Sequence, residues 1–392
     1  MIGPRSRCAA LLLAAAGASA HAADANWGWK ATALVGAPVG AGEAQSARMS
    51  FEPSLKWQHE TVEVRGGIRL RWLDQQRERR TDVDVRELSA AWRGADTTLT
   101  LGAQQLNWGR MDILRVTDIV NPVDQKDLFY EELPEAKLAL WMANWEWHSG
   151  ARSVQLIATP QVPVDRLPAR VAGLPVHVAR PSNSLGNSTL AVRYAFDAAG
   201  WNADLVAIRG WQSMPSLRPF ADGAGLRLEG APARQNSVGF SADKPLGSTV
   251  LRLEGLYART RHEEAAGVRP ASQRALTFGS GLDIRTGPWF VAGQVIATRN
   301  FDPDSASGES KNQAFVSAIV QRKWLQDRLS GRALHIRETA HGSAWTSLQA
   351  SYELSPNQLL RVQGDWFTGK NEAAFGVFRG RSRIAASVRL QF

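Results

Sequence analysis

Two kinds of chemistry lie within reach of the residue types in this 392-residue chain: nucleophilic hydrolysis and the ordering of charged solutes. His341-Gly342-Ser343 and His148-Ser149 each set a base beside a hydroxyl. A nucleophile needs a base that a third group orients, and nothing in the sequence marks that group, so no catalytic residue is assigned and no enzyme is expected. The seven histidines are scattered without a two- or four-residue pairing. Asp302, Asp304, Ser305 and Glu309 are oxygen donors of the kind that hold calcium weakly, though a solvated acidic loop explains them equally well. No glycine-rich run follows a strand and opens a helix, which removes nucleotide binding. Neither metal nor cofactor is expected.

Charge ordering has more to build on. The stretch from Asn107 to Pro134 carries Asp112, Asp118, Asp124, Asp127, Glu131 and Glu132, with Glu135 just beyond, against Arg110, Arg115, Lys126 and Lys137. Its Trp108, Asn121 and Pro122 and several aliphatic residues suit a segment that folds against a surface rather than one that floats. Elsewhere Arg65, Arg69, Arg71, Arg193, Arg252, Arg285, Arg361, Arg383 and Arg389 all occupy the polar face of alternating segments. An acidic loop laid on such a basic wall would narrow a channel and set up a transverse field that favours anions on the wall side. The plainer alternative is that these charges pair to hold the loop. The acids Glu52, Glu63, Glu254, Asp283, Glu353 and Asp365, which share the polar face, would then dilute the basic field.

Either role needs elements that present one polar and one apolar face. In Thr61 to Leu73, Val62, Val64, Ile68, Leu70 and Trp72 form one face of an extended strand and Glu63, Arg65, Arg69 and Arg71 the other. The pattern recurs along the chain, with breaks in Val83 to Trp92 and Arg328 to Arg337 that predict bulges. Short turns at 148–150, 197–200, 243–247, 286–288 and 355–357 alternate with long polar connections such as 210–233, 261–272, 300–311 and 368–380. Short inner turns and long outer loops are what a membrane-spanning barrel requires. Trp27, Trp57, Trp92, Trp147, Trp201, Trp289 and Trp324 fall near the short-turn ends and Trp72, Trp211 and Trp366 near the long-loop ends, as interfacial aromatic girdles would. The expected fold is therefore all-β: a transmembrane antiparallel barrel of about 18 strands, with 16 as the fallback. Residues 107–134 form its third outer loop, folded into the lumen.

Compartment follows from the ends of the chain. Met1 to Ala22 reads as a secretory signal, with Arg5 and Arg7, an apolar core and an Ala20-His21-Ala22 cleavage site, leaving 23–392 as one barrel domain. The lone Cys8 lies inside it, so no disulfide or thiol chemistry is expected beyond it. The formal charge of +9 becomes +7 (9 − 2) without those arginines. An exported basic chain meets outer-membrane lipid, lipopolysaccharide or anionic solutes, not nucleic acid.

Arg381 to Phe392 puts Ile384, Ala386, Val388, Leu390 and Phe392 on one face and ends on an aromatic residue. This resembles the terminal strand of Gram-negative outer-membrane barrels. The resemblance implies that the barrel-assembly machinery reads Leu390 and Phe392. The segment Trp108-Gly109-x-x-Asp112-x-x-Arg115-Val116-x-Asp118-x-x-Asn121-Pro122-x-Asp124 resembles a loop signature of porin-like barrels distantly similar to the alginate-export porins. It implies passage of anionic polysaccharide or hydrophobic metabolites, in some cases beside an inner-membrane exporter. The expectation is a channel for passive passage or export of small or extended solutes with a mild anion preference. The rival readings are a plugged barrel serving as a surface-interaction or export accessory, and an outer-membrane lipid hydrolase.

Overall fold

The computed structural model describes residues 25–39, 46–75, 78–111, 113–126, 133–171, 173–223, 225–262, 272–303, 310–370 and 373–392. The signal segment with Cys8, Asp112, the acids of 127–132, and Asp304, Ser305 and Glu309 lie outside them.

Strands β1 (Ala25–Pro38), β2 (Ser46–His59), β3 (Val62–Gln75), β4 (Glu78–Arg93), β5 (Thr97–Gln104), β6 (Leu140–Ser149) and β7 (Arg152–Thr159) form the first part of the wall. Two short strands, β8 (Arg170–Val171) and β9 (Leu174–Val178), leave it before β10 (Thr189–Ala198) and β11 (Trp201–Trp211) rejoin. A second excursion, β12 (Ser216–Asp222) and β13 (Gly225–Ala231), precedes β14 (Arg234–Leu246), β15 (Thr249–Arg261), β16 (Ser272–Thr286) and β17 (Trp289–Asn300). The wall ends with β18 (Asn312–Trp324), β19 (Leu329–Glu338), β20 (Ala344–Ser355), β21 (Gln358–Thr368) and β22 (Arg383–Gln391).

Each wall strand pairs antiparallel with its neighbours, and β22 pairs back onto β1, with Ala33 opposite Val388, so the 18-stranded sheet closes. Closure leaves no unpaired edge, as a sheet in hydrocarbon must. The seam is finished by the last residue. Phe392 donates its N–H to the Trp29 carbonyl at 2.9 Å and accepts from the Trp29 N–H at 2.7 Å. The two rings stack with centroids 4.7 Å apart.

Period-two alternation explains both faces. On β3, Ile68, Leu70 and Trp72 are exposed on the outside while Arg69, Arg71 and Leu73 are buried inside. The same inversion of the soluble rule recurs with Leu276, Phe278 and Leu282 on β16 and Ile384 and Val388 on β22. Such a belt of exposed aliphatic and aromatic groups suits lipid and not water. Trp27, Trp92, Trp289 and Trp324 are exposed at its short-turn end, as predicted. Trp211 departs from the girdle. It is buried, its indole N–H donates to the Asn187 carbonyl at 2.8 Å, and the Arg234 guanidinium covers its ring at 4.2 Å.

Of the two predicted bulges, the one in Val83 to Trp92 is present. Register shifts opposite Gly67 and Ile68, leaving Arg86 as the extra residue of β4. Val83 and Val85 face out before it and Leu88 and Trp92 after it. The segment Arg328 to Arg337 holds no shift: it pairs regularly with both neighbours, and the irregularity lies at Glu353 and Ser355 on β20. Its mixed pattern has another cause, the inward Leu334 and Ile336 that meet loop residues. The connection 210–233, expected to be a polar loop, contains the β12–β13 hairpin. Strand β9 adds to it in parallel, with Glu229 opposite His177.

Candidate functional site

Residues 105–139 connect β5 to β6 at the long-loop end, the third connection there, and their described parts run across the lumen. The loop is first tied into a hairpin. The fully buried Asn121 donates to the carbonyls of Gln104 and Leu138 at 3.0 and 2.8 Å and accepts from the Leu106 N–H at 2.8 Å, so one side chain joins both legs. Lys137 sits between the legs, paired with Asp118 and donating to the Leu106 carbonyl at 2.9 Å. Burial pushes the Lys137 ammonium below the ordinary lysine range, against the opposing pull of Asp118. Arg115 closes the turn by donating to the carbonyls of Asp118 and Asn121. These are internal ties, and Asp118, Arg115, Asn121 and Pro122 face the loop itself.

The hairpin then docks at four places. Trp108 packs with Val120 against Leu140, Met142, Ile157, Val206 and Ile208 of the wall, and its indole N–H donates to Gln155 at 2.8 Å. Burying a tryptophan this completely contributes several kcal/mol by area, on the order of 25 cal/mol per Å². Two strands beyond β11 along the wall, Glu254 of β15 is 0 % exposed. It accepts from the backbone N–H groups of Arg110, Met111 (2.7 Å) and Thr117 (2.9 Å) and from the Thr117 hydroxyl (2.8 Å). Gly109 permits this approach. A Cβ there would stand 3.0 Å from the Asp118 Cβ and 3.2 Å from the Glu254 carboxylate. Arg110 extends past Glu254 to Asp204 at 2.7 Å and Asp243 at 2.5 Å, while Arg252 pairs with Asp283 and Arg193 with Asp204. At the tip, Ile113 and Leu114 pack on Ile319, Leu334, Ile336, Phe367 and Phe375, so the loop reaches the far wall.

The fourth contact sets one loop acid, Asp124, on the arginines Arg71 and Arg166. Asp124, 1 % exposed, meets Arg71, also 1 % exposed, at 2.5 Å. Asp84 ties the cluster together through Arg69 (3.3 Å), Arg71 (3.6 Å) and Arg166. Arg166 belongs to the next outer connection, where the buried Asp165 also accepts from the Val123 N–H at 2.9 Å. Arg69 and Arg71 are thus sealed beneath the loop, out of reach of a solute. Arg65 lies lower on β3, paired with Glu63 and Glu87. Arg285 is exposed over the Phe290 ring, 5.3 Å away. Arg383 lies 3.8 Å from Asp365.

A cavity remains between the loop and the strands around the β22–β1 seam. It is lined by Lys30, Arg48, Arg361 and Arg389 against the carboxylates of Glu52 and Glu135. Glu135 bridges Lys30 (3.3 Å) and Arg389 (3.1 Å), and its carbonyl accepts from Arg69 at 3.0 Å. Burial pushes its carboxyl up, but the cations of Lys30, Arg389 and Arg48 outweigh that, so it titrates below the usual glutamate value of 4.5. Its docking contribution is therefore complete above 4.5 and is lost as pH falls through the lower folded value. Single-channel recordings taken from about pH 6 down to about pH 3 should become noisier only at the acid end. Glu135→Gln should be noisy already at neutral pH. Current noise independent of both changes would mean that Glu135 does not hold the loop.

Several of these groups were unreadable as partners in the sequence: Asp84, Asp165, Asp204, Asp243, Lys30 and Arg48. Period two places all but the loop residue Asp165 inward, yet no local signal tells which inward groups a loop will meet. The His341 and Ser343 pair is brought together, but through Glu338, which accepts from Ser343 at 2.7 Å and contacts His341 at 2.8 Å. Glu338 also accepts from the Ala374 N–H at 3.1 Å, so this group joins two outer loops. Asp302 is committed to Arg274 at 2.8 and 3.0 Å.

Solved outer-membrane barrels of Gram-negative bacteria share this closed 18-stranded antiparallel fold. Pseudomonas aeruginosa OpdK, solved with vanillate, superposes with a TM-score of 0.59 at 10% identity, covering 94% of this chain and 98% of that one. P. aeruginosa OccK2 (OpdF), in complex with glucuronate, gives 0.57 at 11%, with 94% and 97% covered. Acinetobacter baumannii OccAB1 gives 0.58 at 9%, with 94% and 95% covered. No family model matches the sequence, and no curated protein does.

Proposed function

We propose that the protein is an outer-membrane channel that admits small anionic solutes, carboxylates first among them. The observation that carries this reading is the cavity beside the β22–β1 seam, where Lys30, Arg48, Arg361 and Arg389 face two carboxylates. The cavity itself is small, about 30 Å³, but a surplus of fixed cations on the lumen wall raises the local anion concentration and lowers the barrier to anion entry. Arginine forks also suit the planar, bidentate geometry of a carboxylate. Two barrels of the same fold were solved with vanillate and with glucuronate, both carboxylates, which supports the fold's capacity for such ligands. The loop tip packed on the far wall favours small solutes over the extended polysaccharide that the loop motif suggests.

Planar-bilayer recordings in a salt gradient test this. Wild-type channels are expected to prefer anions. The triple variant Lys30→Gln, Arg361→Gln, Arg389→Gln should lower the anion-to-cation permeability ratio about threefold or more. Cation preference in the wild type would overturn the reading. The same loop tip, with Ile113 and Leu114 against Phe375, favours a second reading, a plugged barrel that acts through its outer surface. Absence of conductance, persisting after removal of 111–131, would decide for it.

A further inference from the structure

We propose that the outer surface of the barrel, at the loop end of strands β10 to β16, is a binding site for the phosphorylated glycolipid of the outer leaflet, lipid A in chemical class. The register builds it. Arg209 on β11 stands opposite Asn236 on β14, Asn236 opposite Arg259 on β15, and Arg259 opposite Arg274 on β16. Their side chains share one face and one height, and strands about 4.8 Å apart spread the row over about 15 Å. One step higher, Arg234 stands opposite Arg261. One step lower the chemistry changes completely: Ala207, Val238, Tyr257 and Leu276 occupy the corresponding positions.

That boundary between cations and apolar groups is grooved. An upper cavity of about 1090 Å³ is bounded by Arg209, Arg234, Arg259 and Arg261. A lower, apolar one of about 920 Å³ runs down the wall over Leu156, Ala158, Val192, Ala207, Val238 and Tyr257. The two share Leu190, Arg209, Asn236 and Arg259 and are therefore continuous. Small side chains at Ala158 and Ala207 set the depth of the lower groove.

Of these cations, Arg209, Arg259 and Arg261 are available. Arg274 is spent on Asp302 and ends the row. Arg259 is steered by the Ser272 hydroxyl at 3.2 Å, and Arg234 is fixed over Trp211 and on Asn187. Arg209 and Arg261 are exposed and form no ion pair with any carboxylate among the described residues. At this height the outward face meets the headgroups of the outer leaflet, so the occupant is an amphiphile with phosphate above and acyl chain below. A row this wide suits two phosphates on a disaccharide better than the single phosphate of a glycerophospholipid. A second copy of the chain would bring its own arginines against these and is disfavoured by like charge.

The test uses the full-length barrel, delipidated in detergent, with native mass spectrometry of bound lipid. Bisphosphorylated lipid A should bind at least about tenfold more tightly than phosphatidylglycerol. The triple variant Arg209→Gln, Arg259→Gln, Arg261→Gln should lose about tenfold or more of that affinity while its conductance stays unchanged. Ala207→Trp, which fills the groove and leaves every cation in place, should weaken binding independently. Equal binding of phosphatidylglycerol, undiminished binding by both variants, displacement of lipid A by equimolar inorganic phosphate, or cross-links between copies at Tyr257 would each overturn the assignment.

Discussion

Replacing Glu254 by leucine is expected to open the channel. Glu254 is a wall group that holds both arms of the loop crossing, at Arg110 and Met111 on one side and Thr117 on the other. Hydrogen bonds to a buried charge contribute about 1.5–3 kcal/mol each, and these share one carboxylate, so loss of the anchor should cost the docked loop about 3 kcal/mol or more. The barrel itself should survive, because its ladders do not pass through this side chain. Conductance should rise about twofold or more, with larger fluctuations as the loop leaves the wall. Glu254→Gln, which keeps an acceptor, should fall between. An unchanged conductance in Glu254→Leu would show that the loop does not limit the passage.

The second large effect is expected at Arg71. Removing it as Arg71→Met leaves Asp124 buried with the Lys126 N–H at 3.1 Å and, as its nearest cation, the more distant Arg166, 3.9 Å away. Stripping one partner from a buried pair commonly costs about 3–5 kcal/mol, because the remaining charge is neither solvated nor compensated. Denaturant unfolding and protease sensitivity of the loop should both register the loss. The double variant Arg71→Met, Asp124→Leu should recover much of it, since it removes the stranded charge as well. A double variant no more stable than Arg71→Met alone would argue that the cluster is held through Asp84 instead.

The barrel was readable because two-residue periodicity is a local property. Glu63, Arg65, Arg69 and Arg71 declare their face from the spacing alone, and the phase change at Arg86 announces itself as a break in the same rhythm. Loop contacts are not local. Glu254 and Glu353 are indistinguishable in the sequence, each an acid on the polar face of an alternating strand. One is sealed under the loop and the other stands exposed near a turn. The difference lies in the path of the loop, which depends on where Trp108 finds its apolar wall and where Asn121 knots the legs. For the same reason the sequence assigned Arg69 and Arg71 to the lumen without revealing that the loop covers them, and it passed over Lys30 and Arg48. The outward arginines at 209, 259 and 261 were invisible as a group because the long 210–233 connection, strand β14 and a short turn separate the first from the other two in the chain.

The partners that dock the loop also set an order of events during biogenesis. Arg110 and Glu254 are 144 residues apart, and Glu135 and Arg389 are 254 apart. Contacts of such separation form late, after the intervening chain has been placed. Glu135 can meet Arg389 only when the last strand has reached the first. Most ties of the loop, at Trp108, Glu254 and Arg71, can form before closure, whereas the Glu135–Arg389 pair waits for it, so that one contact is a readout of the finished seam.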